Sequence, residues 1–519
     1  MRRLALIIVL LLAPTRPTRP ACPTRLTCGV AAAQPRDVAA DIRAVAALSG
    51  EPRLVAAAGV RRDETPILTL ENPSAFDPAD SKRRVVVIGA PGGNADTVVD
   101  LVRWFKTRAP GSVRSRWSLS ALPLADFDDG DKQSLARWTS FQAPDLVVTM
   151  GSAALQIEAP LESIAADNAA PAFERLLGQP REVSALHRTL NERIQRQPLP
   201  VARLLARRYP ETPAISYIPA LSWIGALRVA AIDRDEALRT RVVEQVKPWT
   251  SGERKAFEPS PQARSGQPAR IQLTTVAGTM AFETLAPPLF DEGVAAAEQE
   301  KAPGSPEYGQ GWTDDMFMAT SVLARSGARA GHDADLDRAA RLLTGYAAKL
   351  QRADGLFNHA TDGPAAWGRG NGFAAFGLIE TLARLPKAHS SRRQLLDIYR
   401  RQMDAVRRQQ SPDGSWRQII DEPGAYREET ATAMLLSAMS RGIRLGWLDA
   451  SFRPTVQRAW RALAAHVASD GSVIDVCAGT GAGPTKRYYF DRPAVTGGDD
   501  RGGAMALTAA LDMYDLGAK

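Results

Sequence analysis

The chain has 519 residues, 45% hydrophobic and 24% charged, an ordinary balance for a folded protein. That length exceeds what one core usually supports, roughly 250–300 residues, so two domains are expected. The +8 formal charge is scattered over helix faces instead of forming a basic block with interleaved aromatics, which argues against nucleic acid and leaves long-range attraction to polyanions as its main consequence.

In chain order, Met1-Arg2-Arg3 and the apolar run Leu4 to Ala13 have the form of a secretory leader, with Ala31-Ala32-Ala33 as the cleavage region. The run is too short to span a bilayer, so residues 1–33 are expected to be a signal peptide. The mature protein is then exported, periplasmic or extracellular, without stable membrane insertion. Cys22 and Cys28 leave with the leader, and Cys477 remains as a small buried thiol.

Residues 34–190 read as an α/β domain. Arg84 to Ile88 and Ala143 to Val148 are strand-like, and Thr97 to Lys106 has the apolar spacing of a short helix between them. From about 200 to 519 helix follows helix: Ile218 to Asp233, Asp314 to Arg325, Ala339 to Gln351, Phe373 to Leu385, Leu395 to Gln409, Thr430 to Gly442, Pro454 to Ala468 and Gly503 to Leu516. The stretch from Arg254 to Ala269, rich in Ser, Gly, Pro and Arg, is expected to be an exposed loop. Asp354-Gly, Asp413-Gly and Asp470-Gly each follow a helix and recur at the length of a helical hairpin. Each Gly supplies positive φ at a turn, and with room for about six hairpins a closed α/α toroid with one central pocket is expected.

Chemistry concentrates in three segments: Gly311-Trp312-Thr-Asp314-Asp315-Met-Phe-Met318, Asp354-Gly-Leu-Phe-Asn-His359 and Trp367-Gly-Arg369-Gly-Asn371-Gly-Phe373. Taken alone, an acidic pair before an apolar helix is more often a cap than a catalyst, and Asp314 can serve as one. Together with Glu428-Glu-Thr-Ala-Thr-Ala-Met434, Tyr489-Phe-Asp-Arg-Pro493 and Asp499-Asp-Arg-Gly-Gly-Ala-Met505, however, these segments resemble the unsaturated glucuronyl and rhamnogalacturonyl hydrolases of glycoside hydrolase families 88 and 105. The resemblance covers roughly residues 200–519.

The resemblance implies an α + α/β multidomain chain whose C-terminal part is an (α/α)6 barrel. It implies removal of an unsaturated uronic acid from the non-reducing end of a lyase-generated oligosaccharide by hydration of the C4=C5 double bond, with no cofactor and no metal. Asp314 matches the catalytic aspartate, which must donate and then accept a proton. His359, Trp367, Arg369 and Asn371 are the expected substrate-binding residues: His359 holding a hydroxyl or water, Arg369 pairing with the uronate, Trp367 stacking and Asn371 binding hydroxyls. Tyr217 and Trp223 are candidate pocket aromatics by position only. Arg492, Asp499, Asp500 and Arg501 are expected to form a salt-bridged closing loop. One departure stands out, because Ile271 to Gly278 carries no acid where the family often has a second aspartate. A non-catalytic glycan-binding toroid is therefore the alternative. The N-terminal domain weakly resembles a zinc carboxypeptidase-like fold in Val85 to Asn94, but it lacks the His and Glu that a zinc site needs, so a degenerate, bracing role is expected.

Overall fold

The computed structural model describes residues 37–518 apart from 73–76, 91–93, 128–131, 151–158, 258–271, 299–310 and 330. The expected leader, Cys22, Cys28 and most of the expected loop from Arg254 to Ala269 lie outside these residues. Val38–Lys519 forms one compact unit. No helix among the described residues is long and apolar enough to cross a membrane.

The N-terminal part is a six-stranded sheet of β1 (Leu54–Val60), β2 (Pro66–Glu71), β3 (Arg83–Gly89), β4 (Trp117–Leu122), β5 (Leu146–Met150) and β6 (Leu161–Ile164), in the order β1-β2-β4-β3-β5-β6. β4, β3, β5 and β6 run parallel, and β1 and β2 form an antiparallel edge. The Val-rich strands β3 and β5 lie side by side at the centre, where both faces are covered, so an unbroken apolar run suits them. The helix Ala95–Thr107 follows β3, as its apolar spacing predicts. The chain then passes into β4, which pairs with β3, before it reaches β5. Among the described residues no group of three His, Cys, Asp or Glu side chains is placed to hold a metal. The buried His187 instead meets Asp145 at 2.8 Å, and that carboxylate also accepts the N–H groups of Arg84 and Ser184.

The remainder is a ring of helical hairpins. Inner staves start at Tyr217–Asp233, Leu273–Gly278, Thr313–Met318, Gly368–Arg384, Glu429–Arg444 and Asp500–Gly517. Each packs on the next, and the last returns to the first. Outer helices Pro198–Arg208, Glu236–Thr250, Pro287–Glu298, Asp333–Leu350, Arg392–Arg408 and Arg453–His466 sheathe them. The Asp-Gly repeats follow three outer helices. Gly355, Gly414 and Gly471 have φ of 99°, 101° and 85°, and the preceding Asp accepts the N–H two residues on, at 3.0, 2.8 and 2.9 Å.

The Gly368 stave begins five residues before Phe373, inside a Gly-rich run whose helix propensity is poor. Packing overrides propensity there. A Cβ at Gly368 would meet the Arg417 carbonyl, one at Gly372 the Met434 side chain, and one at Gly377 the Met316 carbonyl. Small residues let the neighbouring staves approach closely enough to close the ring.

Sheet and barrel meet along a charged seam. Glu71 on β2 accepts the Trp138 indole N–H at 2.7 Å and faces Arg427, which is paired with Asp413. Arg137 pairs with Asp475 at 2.9 Å, and Phe141 stacks on His466 with ring centroids 4.6 Å apart. Behind them His466 Nδ1 lies 3.0 Å from Glu429, both residues being buried. Burial pushes the Glu429 carboxyl up to about 8. Burial pulls the His466 imidazole down, but the Glu429 and Asp475 carboxylates more than reverse this and raise it to about 9.

Candidate active site

The inner staves all start at one end of the barrel, and five of the six starts are built of polar residues: Tyr217, Thr313-Asp314, Gly368-Arg369, Glu428-Glu429 and Asp499-Asp500. The helix dipoles converge there, so this mouth favours negative charge. Glu428 and Asp499 are the caps: Glu428 accepts the N–H groups of Thr430 and Ala431 at 3.1 and 2.7 Å, and Asp499 those of Arg501 and Gly502 at 2.8 and 3.4 Å.

At the Thr313 stave the two aspartates divide the work. Asp315 is buried and reaches back to the N–H groups of Gly311 and Trp312 at 2.8 and 3.1 Å, while the Tyr346 hydroxyl donates to it at 2.8 Å. Capping therefore belongs to Asp315, three positions into the stave, and not to Asp314. Burial raises the Asp315 carboxyl to about 6, with the neighbouring Asp314 charge adding to the rise.

That leaves Asp314 out of the cap. Its side chain is 15% exposed, and Oδ2 lies 3.1 Å from Nε2 of His359, which is fully buried. Backbone pairing brings the two together: Trp312 bridges to Ala360, and the Thr313 N–H donates to the His359 carbonyl at 2.9 Å. On the other side of the imidazole, Nδ1 is 2.9 Å from the Tyr489 hydroxyl, and that oxygen accepts the Gly483 N–H at 3.1 Å. This network assigns the tautomer: the Tyr489 O–H donates to Nδ1, so Nε2–H donates to Asp314. Burial pushes the Tyr489 phenol up to about 12, keeping it a proton donor. Asp314 Oδ1 makes no hydrogen bond among the described residues.

The other expected site residues are gathered around this pair in different roles. Trp367 is buried, its indole N–H donates to Gln418 at 3.3 Å, and it packs on His359 with centroids 4.4 Å apart. The aromatic face left partly open is Trp312, 5.5 Å from the His359 ring. Asn371 is fully buried, accepting the Phe357 N–H at 2.9 Å and donating to the carbonyls of Phe357 and Trp367 at 2.9 and 3.1 Å. It braces the loop that carries His359 and leaves no amide group for a ligand.

Arg369 is buried beneath the pocket, its guanidinium donating to the carbonyls of Cys477 and Ala478 at 2.8 and 2.7 Å. Glu428 accepts the N–H of the same Cys477 at 2.9 Å, so the last residue of β7 (Val473–Cys477) is clamped between cation and anion. Despite burial, which lowers it, the Arg369 guanidinium is held above its ordinary range by the surrounding negative charge. Arg501 is the cation with access: it pairs with Asp499 at 2.8 Å and keeps 26% of its side chain exposed. Tyr217 lies edge-on to Phe317 and Phe373, and burial raises it to about 12 within the fields of Arg369, Asp314, Arg501 and Asp499. It belongs to the site. Trp223 belongs to the core, its N–H donating to Gln245 at 2.9 Å.

The expected closing cluster is dispersed. Asp499 and Arg501 pair, but Asp500 takes the N–H groups of Glu211 and Thr212, and Arg492 lies over the Tyr488 ring and donates to the Gly479 carbonyl. Cys477 is buried as expected, with Gln418 Nε2 donating to its sulfur at 3.1 Å.

Residues 265–516 match the family model of Glycosyl Hydrolase Family 88. This part of the chain is similar to that family. Over 221 residues the chain is 29% identical to the unsaturated rhamnogalacturonyl hydrolase YesR of Bacillus subtilis, a match covering 40% of this chain and 61% of that protein. It is 27% identical over 113 residues to an unsaturated 3S-rhamnoglycuronyl hydrolase of Alteromonas sp., covering 21% of this chain and 27% of the relative. The chain thus spans less than two thirds of the length of these relatives. The fold is also that of a possible member of the GH105 family from Salmonella enterica, with TM-score 0.52 and 18% identity over 66% of this chain and 97% of that one. A family 105 glycoside hydrolase from C. acetobutylicum aligns with TM-score 0.51 and 19% identity over 60% of this chain and 99% of that one. Both matches show the fold of the helical part, an (α/α)6 toroid preceded here by the mixed sheet.

Proposed function

We propose that the family 88 barrel hydrolyses unsaturated uronyl or rhamnogalacturonyl oligosaccharides left by polysaccharide lyases, with Asp314 as the acid/base. The observation that carries this reading is the Asp314–His359–Tyr489 chain, in which one oxygen of a partly exposed carboxylate is held and the other makes no hydrogen bond among the described residues. Protonated Asp314 gives its proton to C4 of the enol ether, water adds at C5, and the resulting hemiketal opens and releases the remaining sugar. The carboxylate formed is stabilised by the His359 N–H and then takes the proton of the incoming water. Arg501 meets the uronate carboxylate, Trp312 offers a stacking face, and Arg369 supplies positive potential from beneath.

Following the ultraviolet absorbance of the conjugated enol ether tests this. Lyase-generated oligosaccharides from pectin, ulvan and glycosaminoglycans are expected to lose that absorbance with the native protein and to keep it with Asp314→Asn. Full activity of a folded Asp314→Asn would refute the assignment.

A second reading, a toroid that binds glycans without turnover, is favoured by one observation: the inner stave Leu273–Gly278 presents no acid. Calorimetric binding without loss of absorbance would support it. On either reading the sheet braces the barrel through Glu71–Arg427 and Arg137–Asp475. The leader-like N-terminus makes export part of the proposal.

A further inference from the structure

A groove of about 920 Å³ crosses the opposite end of the barrel, where the outer helix Arg453–His466 begins, the last stave Asp500–Gly517 ends, and the link at residues 195–197 passes between them. At 1.5 Å per residue, the 18-residue stave puts it roughly 27 Å from the mouth that holds Asp314. It is therefore a separate place on the molecule, of a size that suits an oligosaccharide.

Its lining has one sign. Arg196, Arg453 and Arg461 line it, and no Asp or Glu does among the described residues. Arg453, Gln457 and Arg461 are spaced four apart, so they form one ridge of the outer helix, with the two arginines roughly 12 Å from each other. Neither arginine has a hydrogen-bond or ion-pair partner among the described residues, unlike most of the guanidinium groups along the seam and around the mouth. The facing wall is fixed: the Trp460 indole N–H donates to the Arg196 carbonyl at 2.9 Å, and the Arg196 guanidinium donates to the Val467 carbonyl at 2.8 Å. Amide groups from Gln195 and Gln197 complete it.

We propose that this groove is a second glycan site, binding an anionic, uronate-bearing oligosaccharide. Two cations separated by more than one sugar ring, with amide groups alongside, match a chain in which carboxylates alternate with hydroxyls. A single small anion cannot bridge them. Trp460 is buried and offers no open face for base stacking, which turns the chemistry away from single-stranded nucleic acid. The choice of ligand class rests on the proposed substrate, and the site would hold polymer fragments near the catalytic mouth by raising their local concentration.

The test is titration calorimetry of the full chain with a saturated oligogalacturonate long enough to span both arginines, beside a neutral galactan oligosaccharide of equal length. Native protein and Asp314→Asn are expected to bind the acidic chain equally and the neutral one not at all. Arg453→Gln with Arg461→Gln is expected to weaken binding by about tenfold or more, and added salt to weaken it further. The same double variant is expected to turn over an unsaturated disaccharide at the native rate, because so short a substrate cannot reach the groove from the mouth. Undiminished binding by the double variant, or equal binding of the neutral chain, overturns the proposal. Loss of binding in the double variant with no disaccharide turnover by native protein leaves the groove standing and removes the catalytic reading instead.

Discussion

Two of the barrel's carboxylate–histidine pairs have a buried imidazole and nearly equal length but differ in what surrounds them. Asp314 and His359 are 3.1 Å apart at the mouth, with the carboxylate partly exposed and the far ring nitrogen bonded to Tyr489. Glu429 and His466 are 3.0 Å apart behind the seam, fully enclosed, with Asp475 and Phe141 covering the ring. The first pair is oriented by a neutral hydrogen-bond chain and keeps an oxygen free. The second is shut in by charge and aromatic packing. Contact distance alone therefore does not set the group proposed to react apart from a fastening. Solvent access and the partner on the far nitrogen do.

Breaking each pair should separate activity from stability. The largest effect expected is from Asp314→Asn, which should lower kcat by about 10²–10⁴-fold in an ultraviolet assay while leaving the melting temperature near native. His466→Gln should do the reverse: above pH 8, where Glu429 is ionised, it leaves that carboxylate buried without its cation, costing about 3–5 kcal/mol in denaturant unfolding, with kcat on an unsaturated disaccharide preserved. An equal loss of activity and stability in both variants would erase the distinction.

Smaller effects sharpen it. His466, raised from 6.5 to about 9, contributes stability that is complete below pH 6.5 and lost as pH rises through 9. Glu429, raised from 4.5 to about 8, acts in the same direction over a lower window. The melting temperature should accordingly fall between pH 6.5 and 9, by an amount equivalent to at most about 3 kcal/mol for the histidine, and Glu429→Gln should flatten that fall. Tyr489→Phe removes only the hydroxyl that fixes the His359 tautomer. A drop of about tenfold in kcat with little change in KM is expected, since the group acts through His359.

What could be read from the sequence follows the range of the interactions involved. The staves around Ile379 and Leu435 were legible because one helix carries its own apolar period, and the Asp-Gly turns because Gly and the residue before it settle the turn locally. Strand β4 does not stand out. Ser118 and Ser120 interrupt its apolar run, and their burial is made tolerable by Asn72 at 2.7 Å and Gln142 at 3.0 Å, both distant in sequence. At the site, the grouping of Asp314 with His359 and Arg369 was legible through motif order. The division of labour was not. Asp315 becomes the cap because its rotamer reaches Gly311, Asn371 is taken up by the Phe357 backbone, and Trp312 takes the open face because the Gly368 stave buries Trp367. Tyr489 and Arg501 join from more than a hundred residues downstream, a proximity that no local pattern encodes.

The return of the last stave to the first also sets when the proposed site can be completed. Asp500 fastens Glu211 and Thr212, 289 and 288 residues upstream, and the Asp500–Gly517 helix lies against Tyr217–Asp233. Such contacts form only after the long intervening chain has been made and gathered, a slow, high-separation step. During synthesis the growing polypeptide can pack one hairpin on another, yet the mouth lacks Tyr489, Asp499 and Arg501 until the final stave emerges. On the proposed function, a fragment lacking the final stave would be inert, and the site would be completed in a single late event instead of by degrees.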